Sequence, residues 1–501
     1  MATTSTANLQ LALEDSPSLR AAITSPGMLT RESLAGIVTA LALIPEVISF
    51  SFVSGVDPQV ALAASITLGL VMSALGGRPA MVTAAAGSIA LVIGPMVKAH
   101  GVGYILPTIV LAGIVQIAFG LLGMARLMRF IPRSVMIGFV NSLGILIFCA
   151  QVPHVLNVPW IVYPLFALTV AIVLFAPRLT TLIPAPLIAI AAVTAIVMSG
   201  HLSVPQVGSE GAMTGFVGMT PLTVPLNLDT LRLIWPTALS VAFVGLLETL
   251  LTAKLVDELT DTRSNKSRES WALGLANIVA GFFGGIAGCA MIGQTVVNVK
   301  IGGGRTRIST AVAAIVLLLL VTVLSHLMAQ IPMVALAAVM MIVAIRTFNW
   351  HSIMPATLTR MPKSETSVLL LTMAVTVATG NLALGVAAGV LLAMVLFARR
   401  VAHVIRVERT ASEDGSAVHY AVHGPLFFGS SNDLVERFSY ASDPKEITID
   451  LTHSQIWDAS SVAALDSVET RYRANGGLIT FTGLDQRSLA FHGRLSGQLQ
   501  A

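Results

Sequence analysis

The sequence predicts an all-α polytopic membrane domain of fourteen segments, built as two inverted halves of seven with half-helices at the third and tenth places, followed by a small α/β domain. Three observations predict it. Of 501 residues, 55% are hydrophobic and only 11% charged, with mean hydropathy +0.84, whereas a soluble domain averages roughly 25% charged. Apolar runs recur from residue 33 to 399, and beyond Arg400 the chain turns abruptly polar.

Residues 1–30 are polar and mixed in charge, without the basic-then-apolar layout of a cleaved signal. They are expected to form a cytoplasmic tail. Segments of roughly the length that crosses a bilayer fall near 33–55, 59–76, 104–123, 133–151, 159–177, 183–200, 232–256, 270–286, 308–328, 332–346, 365–380 and 382–399, with shorter pieces near 83–98 and 288–300. Lys and Arg close to span ends favour the cytoplasm. With the N-terminus inside, the inner loops hold Arg78, then Arg126, Arg129 and Arg133, then Arg178, then Lys254, Arg263, Lys266 and Arg268. Lys300, Arg305 and Arg307, then Arg346, Arg360 and Lys363, then Arg399 and Arg400 continue the pattern, and the outer loops keep only Lys98 and Arg232. Both termini are therefore expected in the cytoplasm, the protein lying in a bacterial inner membrane.

The two short pieces occupy matching places in the two halves. An odd number of spans per half inverts one half against the other, and interrupted segments at matching positions point to a transporter site. The third, MVTAAAGSIALVIGP from Met81 to Pro95, places Ala84, Ala85, Ala86, Gly87 and Ser88 at the start of a half-helix and a Gly94-Pro95 stop at its end. The tenth, within GFFGGIAGCAMIGQTVVNVKIGGG from Gly281 to Gly304, is broken by glycines and carries Gln294, Thr295 and Asn298. Irregular backbone at membrane depth is tolerated only where it is buried in protein or lines a cavity. Half-helix N-termini there, with the amides of Cys289, Ala290 and Met291, suit a carboxylate, sulfate or bicarbonate. A neutral nucleobase could use the same donors.

Glu248, Thr252, Asp257, the basic stretch Arg263 to Glu269, Gly274, Asn277, FFGG at Phe282 to Gly285, Thr295-Val-Val-Asn298 and GGGRT at Gly302 to Thr306 resemble the signature region of the sulfate permease family of anion transporters. Ile44-Pro45-Glu46, FVSGVDP at Phe52 to Pro58, and Gly138-Phe139 resemble first-half motifs of the same family. The resemblance covers nearly the whole chain. It implies a fold shared with nucleobase permeases, a core of segments 1–4 and 8–11, a gate of segments 5–7 and 12–14, and an anion between the third and tenth half-helices.

Departures from the family pattern bear on chemistry. Gln294 stands where many members carry arginine, which removes a fixed positive charge and keeps an amide donor. Glu46 follows Pro45 where many members have glutamine, and with Ser49 it is a candidate lining residue. An ionisable group midway along a span is expensive and is by default functional, which singles out Glu248. Thr252 lies one turn further on the same helical face. Glu248 can take up a proton that moves with the anion. The resemblance to a bicarbonate-transporting branch implies instead that Glu248 and Thr252 help to hold Na⁺.

Other chemistries find no support. Cys149 and Cys289 lie in apolar context and make no disulfide framework or thiolate metal site. His154, His201 and His326 lack ligand spacing. GGGRT lacks the lysine and hydroxyl of a nucleotide loop. The basic residues are scattered among loops rather than forming a nucleic-acid patch. Asp257, Glu258 and Asp261 read as solvated partners of Lys254 and Arg263.

Residues 31–400 thus form the transporter domain and 401–501 a cytoplasmic domain. In the latter, EITIDL at Glu446 to Leu451, a helical pattern from Ser460 to Arg473 and GLITFTGL at Gly477 to Leu484 give strand, helix, strand. With WDASSVAAL at Trp457 to Leu465 this resembles the STAS domain that family members share with anti-sigma-factor antagonists. Asp458 and Ser460 are expected to cap the helix. No catalytic constellation is present, so the expectation is a transporter rather than an enzyme, without cofactor other than H⁺ or Na⁺ as coupling ion. It is expected to be a homodimer that symports a small carboxylate such as fumarate or succinate with protons by alternating access. Na⁺-coupled bicarbonate or sulfate transport, and an uncoupled anion channel or exchanger, are the alternatives.

Overall fold

The computed structural model describes residues 19–125, 131–179, 183–213, 218–225, 227–402 and 405–498. Arg126, Arg129 and most of the N-terminal tail lie outside the described residues. The chain divides into two compact units, Met1–Val390 and Leu391–Ala501.

An element stands at each of the fourteen expected places. After a short helix, Leu19–Thr24, come α1 (Pro26–Ser54), α2 (Pro58–Leu75), strand β1 (Thr83–Ala85) with α3 (Gly87–His100), α4 (Ile105–Leu121), α5 (Arg133–Gln151), α6 (Val162–Leu179) and α7 (Ala185–Ser199). The second half holds α8 (Leu228–Thr260), α9 (Lys266–Phe282), strand β2 (Gly288–Ala290) with α10 (Ile292–Val296), α11 (Arg307–Ala329), α12 (Met333–Thr347), α13 (Lys363–Thr379) and α14 (Leu382–Ala402). A π-helical turn, Val297–Ile301, continues α10. Eight helices among the described residues are long and apolar enough to cross a membrane, and Ala185–Ser199 and Met333–Thr347 are shorter apolar helices.

Local sequence explains the boundaries. Proline opens α1 and α2, where a missing N–H costs nothing. Gly55 ends α1 in the left-handed conformation, φ 75°, its N–H donating to the Phe52 carbonyl. The α11 N-terminus is capped from a distance: the Glu32 carboxylate on α1 accepts the N–H groups of Arg305 at 2.7 Å, Thr306 at 3.2 Å and Ser309 at 3.3 Å. That closes one of the tightest helix pairings, α1 against α11.

Helices α1–α4, α8, α9 and α11 pack chiefly on one another, and α5, α6, α7, α12 and α13 form a second group. The closest pairing is α4 with α9. A methyl placed on Gly113 would lie 2.6 Å from the Gly274 carbonyl, and one on Gly274 would lie 2.5 Å from the Gly113 carbonyl. The two backbones therefore touch where neither residue has a side chain, the small-residue contact that drives helix association in lipid.

Asp257 departs from expectation. Rather than a solvated partner of Lys254 or Arg263, it is a half-buried acceptor for Arg78 at 3.2 Å and Lys266 at 2.6 Å. The buried Arg78 guanidinium also donates to Thr262 at 2.7 Å and Thr260 at 2.6 Å. Glu258 does pair with Lys254, at 4.0 Å and well exposed.

The boundary of the second unit falls inside α14, before the compositional break at Arg400. Its sheet has four strands in the order β3 (Arg406–Ala411), β4 (Ala417–Leu426), β5 (Glu446–Ile456) and β6 (Leu478–Thr482), with β3 antiparallel and the rest parallel. Helix α15 (Ser431–Glu436) joins β4 to β5, α16 (Ala459–Ala474) joins β5 to β6, and α17 (Gln486–Leu495) follows. The expected strand, helix, strand is present, and the β3–β4 hairpin is an addition to it. Val418, Tyr420, Val422, Ile447, Ile449 and Leu451 meet Val462, Leu465, Val468 and Tyr472 in a core of the unit's own. At its edge, the covered Asp443 carboxylate accepts the hydroxyls of Tyr420 and Tyr472, each at 2.6 Å, and the Arg409 guanidinium at 2.8 Å. Asp458 is the N-cap of α16, accepting the Ser461 N–H at 3.0 Å. Ser460, expected to share that role, is instead an exposed residue of the first turn.

Candidate functional site

The two interrupted segments meet. Strands β1 and β2 pair antiparallel with Thr83 opposite Ala290, Ala84 opposite Cys289 and Ala85 opposite Gly288. From this ladder α3 and α10 leave in opposite directions. Their N-cap residues, Ala86 and Met291, are extended and give no side-chain cap. The first amides of a helix lack intrahelical partners, so Gly87 to Ile89 and Ile292 to Gln294 are the N–H groups that the helix ends leave open.

Neighbouring helices brace the ladder through polar side chains. Ser65 of α2 accepts the Ala85 N–H at 3.1 Å, and Thr295 accepts that of Val82 at 3.0 Å. Asn277 of α9 accepts the Gly288 N–H at 2.8 Å and donates to Gln116 Oε1 at 2.9 Å. Thr249 of α8 accepts the Ala290 N–H at 3.0 Å, and the Met291 N–H reaches the Val82 carbonyl at 2.9 Å. This corrects one expectation. The amides of Ala290 and Met291 are consumed within the scaffold, because the residues form a strand edge rather than a helix start, and the open amides fall one step later. Cys289 contributes its thiol.

Glu248, on α8, reaches the ladder directly. Its Oε2 accepts the hydroxyl of Ser88, in the first turn of α3, and the Cys289 thiol at 3.0 Å, while Ser88 and Cys289 lie 3.6 Å apart. The three are buried together. Thr252, one turn on, bonds the main-chain carbonyl of Glu248 at 2.8 Å and that of Ala290 at 3.3 Å, not the carboxylate. Glu46, on α1 after Pro45, lies beside the Gln294 side chain. Ser49 turns its hydroxyl back to the Pro45 carbonyl at 2.9 Å and borders a cavity of about 320 Å³ with Phe52, Gln151, His154 and Glu210. Ala84, Ala85, Ala86 and Gly87 are buried in the ladder and at the head of α3. A methyl on Gly293 would meet nothing within 4 Å, which marks the open side of the tenth segment.

The expected residues therefore gather into two adjoining groups, Glu248 with Ser88 and Cys289, and Glu46 with Gln294. Ser65, Gln116, Thr249 and Asn277 are positioning residues that the sequence alone did not assign. Gln116 carried a signal, as an amide in the middle of an apolar span. Among the described residues no group of three or more His, Cys, Asp or Glu side chains is arranged to hold a metal ion.

Two inverted halves crossing at a short antiparallel ladder, with open helix ends beside it, define a transporter of the inverted-repeat class. The sulfate permease family model matches residues 29–163 and 156–372, and the STAS domain model residues 408–490, so the chain belongs to the sulfate permease family. It is 44% identical over 463 residues to YbaR of Bacillus subtilis, a provisionally named sulfate transporter, covering 92% of this chain and 96% of that one. It is 26% identical over 478 residues to the bicarbonate transporter BicA of a Picosynechococcus species, covering 83% and 82%. The transmembrane domain of a cyanobacterial BicA superposes with a TM-score of 0.65 at 25% identity, over 74% of this chain and 99% of that one. The fold also matches murine Slc26a9 in its inward-facing state, with a TM-score of 0.82 at 16% identity, over 93% and 87%. The protein is an integral membrane anion transporter, not an enzyme.

Proposed function

We propose that the protein is a proton-coupled symporter of a small oxyanion, working by alternating access. The observation that carries this reading is the place of Glu248. A helix N-terminus favours negative charge, and at the head of α3 the protein supplies a carboxylate of its own, bonded to Ser88 and Cys289. An incoming anion shares that end of the helix with Glu248. Two like charges close together in a low-dielectric site repel strongly, and protonation of Glu248 removes one of them. With Gln294 in place of a cation, the site has no fixed positive side chain to do so instead.

Among substrates, the neutral Gln294 amide and the Glu46 carboxyl favour a small carboxylate such as fumarate or succinate, carried with protons. The names of the relatives favour a second reading, sulfate or bicarbonate, for which Na⁺ is the alternative coupling ion. Thr252 donates its hydroxyl to main-chain carbonyls and keeps its oxygen lone pairs, so Na⁺ held by Glu248 and Thr252 stays the competing arrangement. Movement of helices 1–4 and 8–11 against 5–7 and 12–14 is part of the proposal, supported by the two packing groups. So are cytoplasmic termini, supported by the loop charges, and a homodimer.

Uptake of labelled fumarate, succinate, sulfate and bicarbonate into proteoliposomes, under imposed pH and Na⁺ gradients in turn, tests the reading. Accumulation of a carboxylate driven by protons alone is expected. Accumulation of bicarbonate or sulfate driven only by Na⁺ would replace it with the second reading, and unsaturable flux indifferent to both gradients would replace it with a channel.

A further inference from the structure

At one end of the soluble unit, large apolar side chains stand in solvent. Phe428 is 70% exposed, Trp457 59% and Leu489 58%. Phe427 joins the first two, its ring centre 5.4 Å from that of Phe428 and 6.1 Å from that of Trp457. The backbone beneath them is fixed. The Phe428 N–H donates to Asp458 Oδ2 at 2.6 Å, the Trp457 N–H to the Leu426 carbonyl at 2.9 Å, and the Ile456 N–H to Ser488 Oγ at 3.1 Å, which brings the first turn of α17 and Leu489 to the same end. A rigid apolar cluster left in solvent marks an interaction site rather than a loose end.

Topology says which end this is. Strand β3 begins at Arg406, opposite His423 on β4. β4 runs on from there to Leu426, and β5, parallel to it, ends at Ile456 opposite Leu426. Phe428 and Trp457 therefore project from the end of the sheet at which the chain enters the domain. The preceding helix, α14, is apolar enough to cross a membrane and ends at Ala402, with three residues before Arg406. Four extended steps reach at most about 14 Å.

We propose that Phe428 and Trp457, with Leu489, dock on the phospholipid surface from which α14 emerges. Aromatic side chains, Trp above all, favour the headgroup zone of a bilayer. Arg399 in the last turn of α14 and Arg487 at the same end of the domain add attraction to anionic headgroups. The docking holds the domain by two points, the α14 tether and the aromatic cluster. It depends on the chain being a membrane protein and not on which anion it carries.

The test uses the full-length protein carrying Cys149→Ser, with the fully buried Cys289 left in place. A nitroxide is attached in turn at Phe428→Cys, Trp457→Cys, Leu489→Cys and, at the far end of the β3–β4 hairpin, Glu413→Cys. The protein is reconstituted in phosphatidylethanolamine vesicles with a minority of phosphatidylglycerol. Collision with dissolved oxygen, relative to collision with a polar nickel chelate, is expected to be several-fold higher at 428 and 457 than at 413. Equal accessibility to the nickel chelate at all sites would overturn the proposal by placing the cluster in water. Shielding of 428 and 457 from both reagents would overturn it by placing the cluster against protein.

Discussion

Replacing Asn277 by leucine tests whether α9 holds the ladder in place. Asn277 is fully buried, and so is Gln116, to which it donates at 2.9 Å while accepting the Gly288 N–H at 2.8 Å. Leucine fills a similar volume and supplies neither bond. Two buried polar groups, the Gly288 amide and Gln116 Oε1, then lose their close Asn277 partner, and the Gly288 carbonyl loses a longer bond at 3.3 Å. Each such loss costs about 1–3 kcal/mol, so the pair costs about 2–6 kcal/mol. If even the lower figure falls on local opening of β2, exchange of its amides accelerates by about 30-fold. Hydrogen exchange of the peptide containing residues 285–291, in full-length protein in nanodiscs, reads this directly, and transport measured on the same preparation is expected to fall at least tenfold. Unchanged exchange together with unchanged transport would refute the reasoning.

Three further outcomes follow from the same packing. A methyl on Gly288 would lie 2.2 Å from the Ala84 carbonyl and 2.4 Å from Leu68, so Gly288→Ala must displace β2 at a cost of about 1–3 kcal/mol, and a lowered melting temperature with lost transport is expected. Arg78→Met takes one of two cationic partners from the half-buried Asp257, Lys266 remaining, and removes the guanidinium donor to the Thr260 and Thr262 hydroxyls; lost buried hydrogen bonds cost about 1–3 kcal/mol each, so a lower yield of folded protein is expected, read by size-exclusion profile. In the soluble unit, burial raises the Asp443 carboxyl, but the hydroxyls of Tyr420 and Tyr472 and the Arg409 guanidinium outweigh it and hold it below the ordinary range. That stability is complete above the unfolded value of about 3.9 and is lost as pH falls through the folded one, so the domain should loosen below about pH 4, and Asp443→Asn should flatten this acid limb in near-ultraviolet circular dichroism.

Much of the membrane unit was legible because its signals are local. Spans such as Arg307–Ala329 are long and apolar in one continuous run, and a lone carboxylate at Glu248 is conspicuous in a greasy helix. The stop expected at Gly94-Pro95 is not one: α3 carries Pro95 within it and runs on to His100, ending at Gly101. The ladder was not legible. Thr83–Ala85 and Gly288–Ala290 have three residues each, too few to show alternation, and they become strands only because residues some two hundred positions apart meet. For the same reason the sequence offered Asp257 its neighbours Lys254 and Arg263, while the fold brings it Arg78. In the soluble unit, alternation at Val418, Tyr420 and Val422 did carry the signal for β4, but His419, His423 and Gly424-Pro425 diluted it. The placement of amides was the subtlest difference, since a strand edge and a helix start present N–H groups from different residues.

The proposed function turns on the Glu248 carboxyl at the head of α3 coupling anion movement to a proton. The direct measurement is concentrative uptake of the transported anion into proteoliposomes by Glu248→Gln, alongside counterflow exchange of labelled for unlabelled anion without any gradient. Counterflow is expected to survive while gradient-driven accumulation is abolished, because glutamine can accept the hydrogen bonds of Ser88 and Cys289 but takes up no proton. Accumulation by Glu248→Gln equal to that of the unaltered protein, under the same proton gradient, would contradict it.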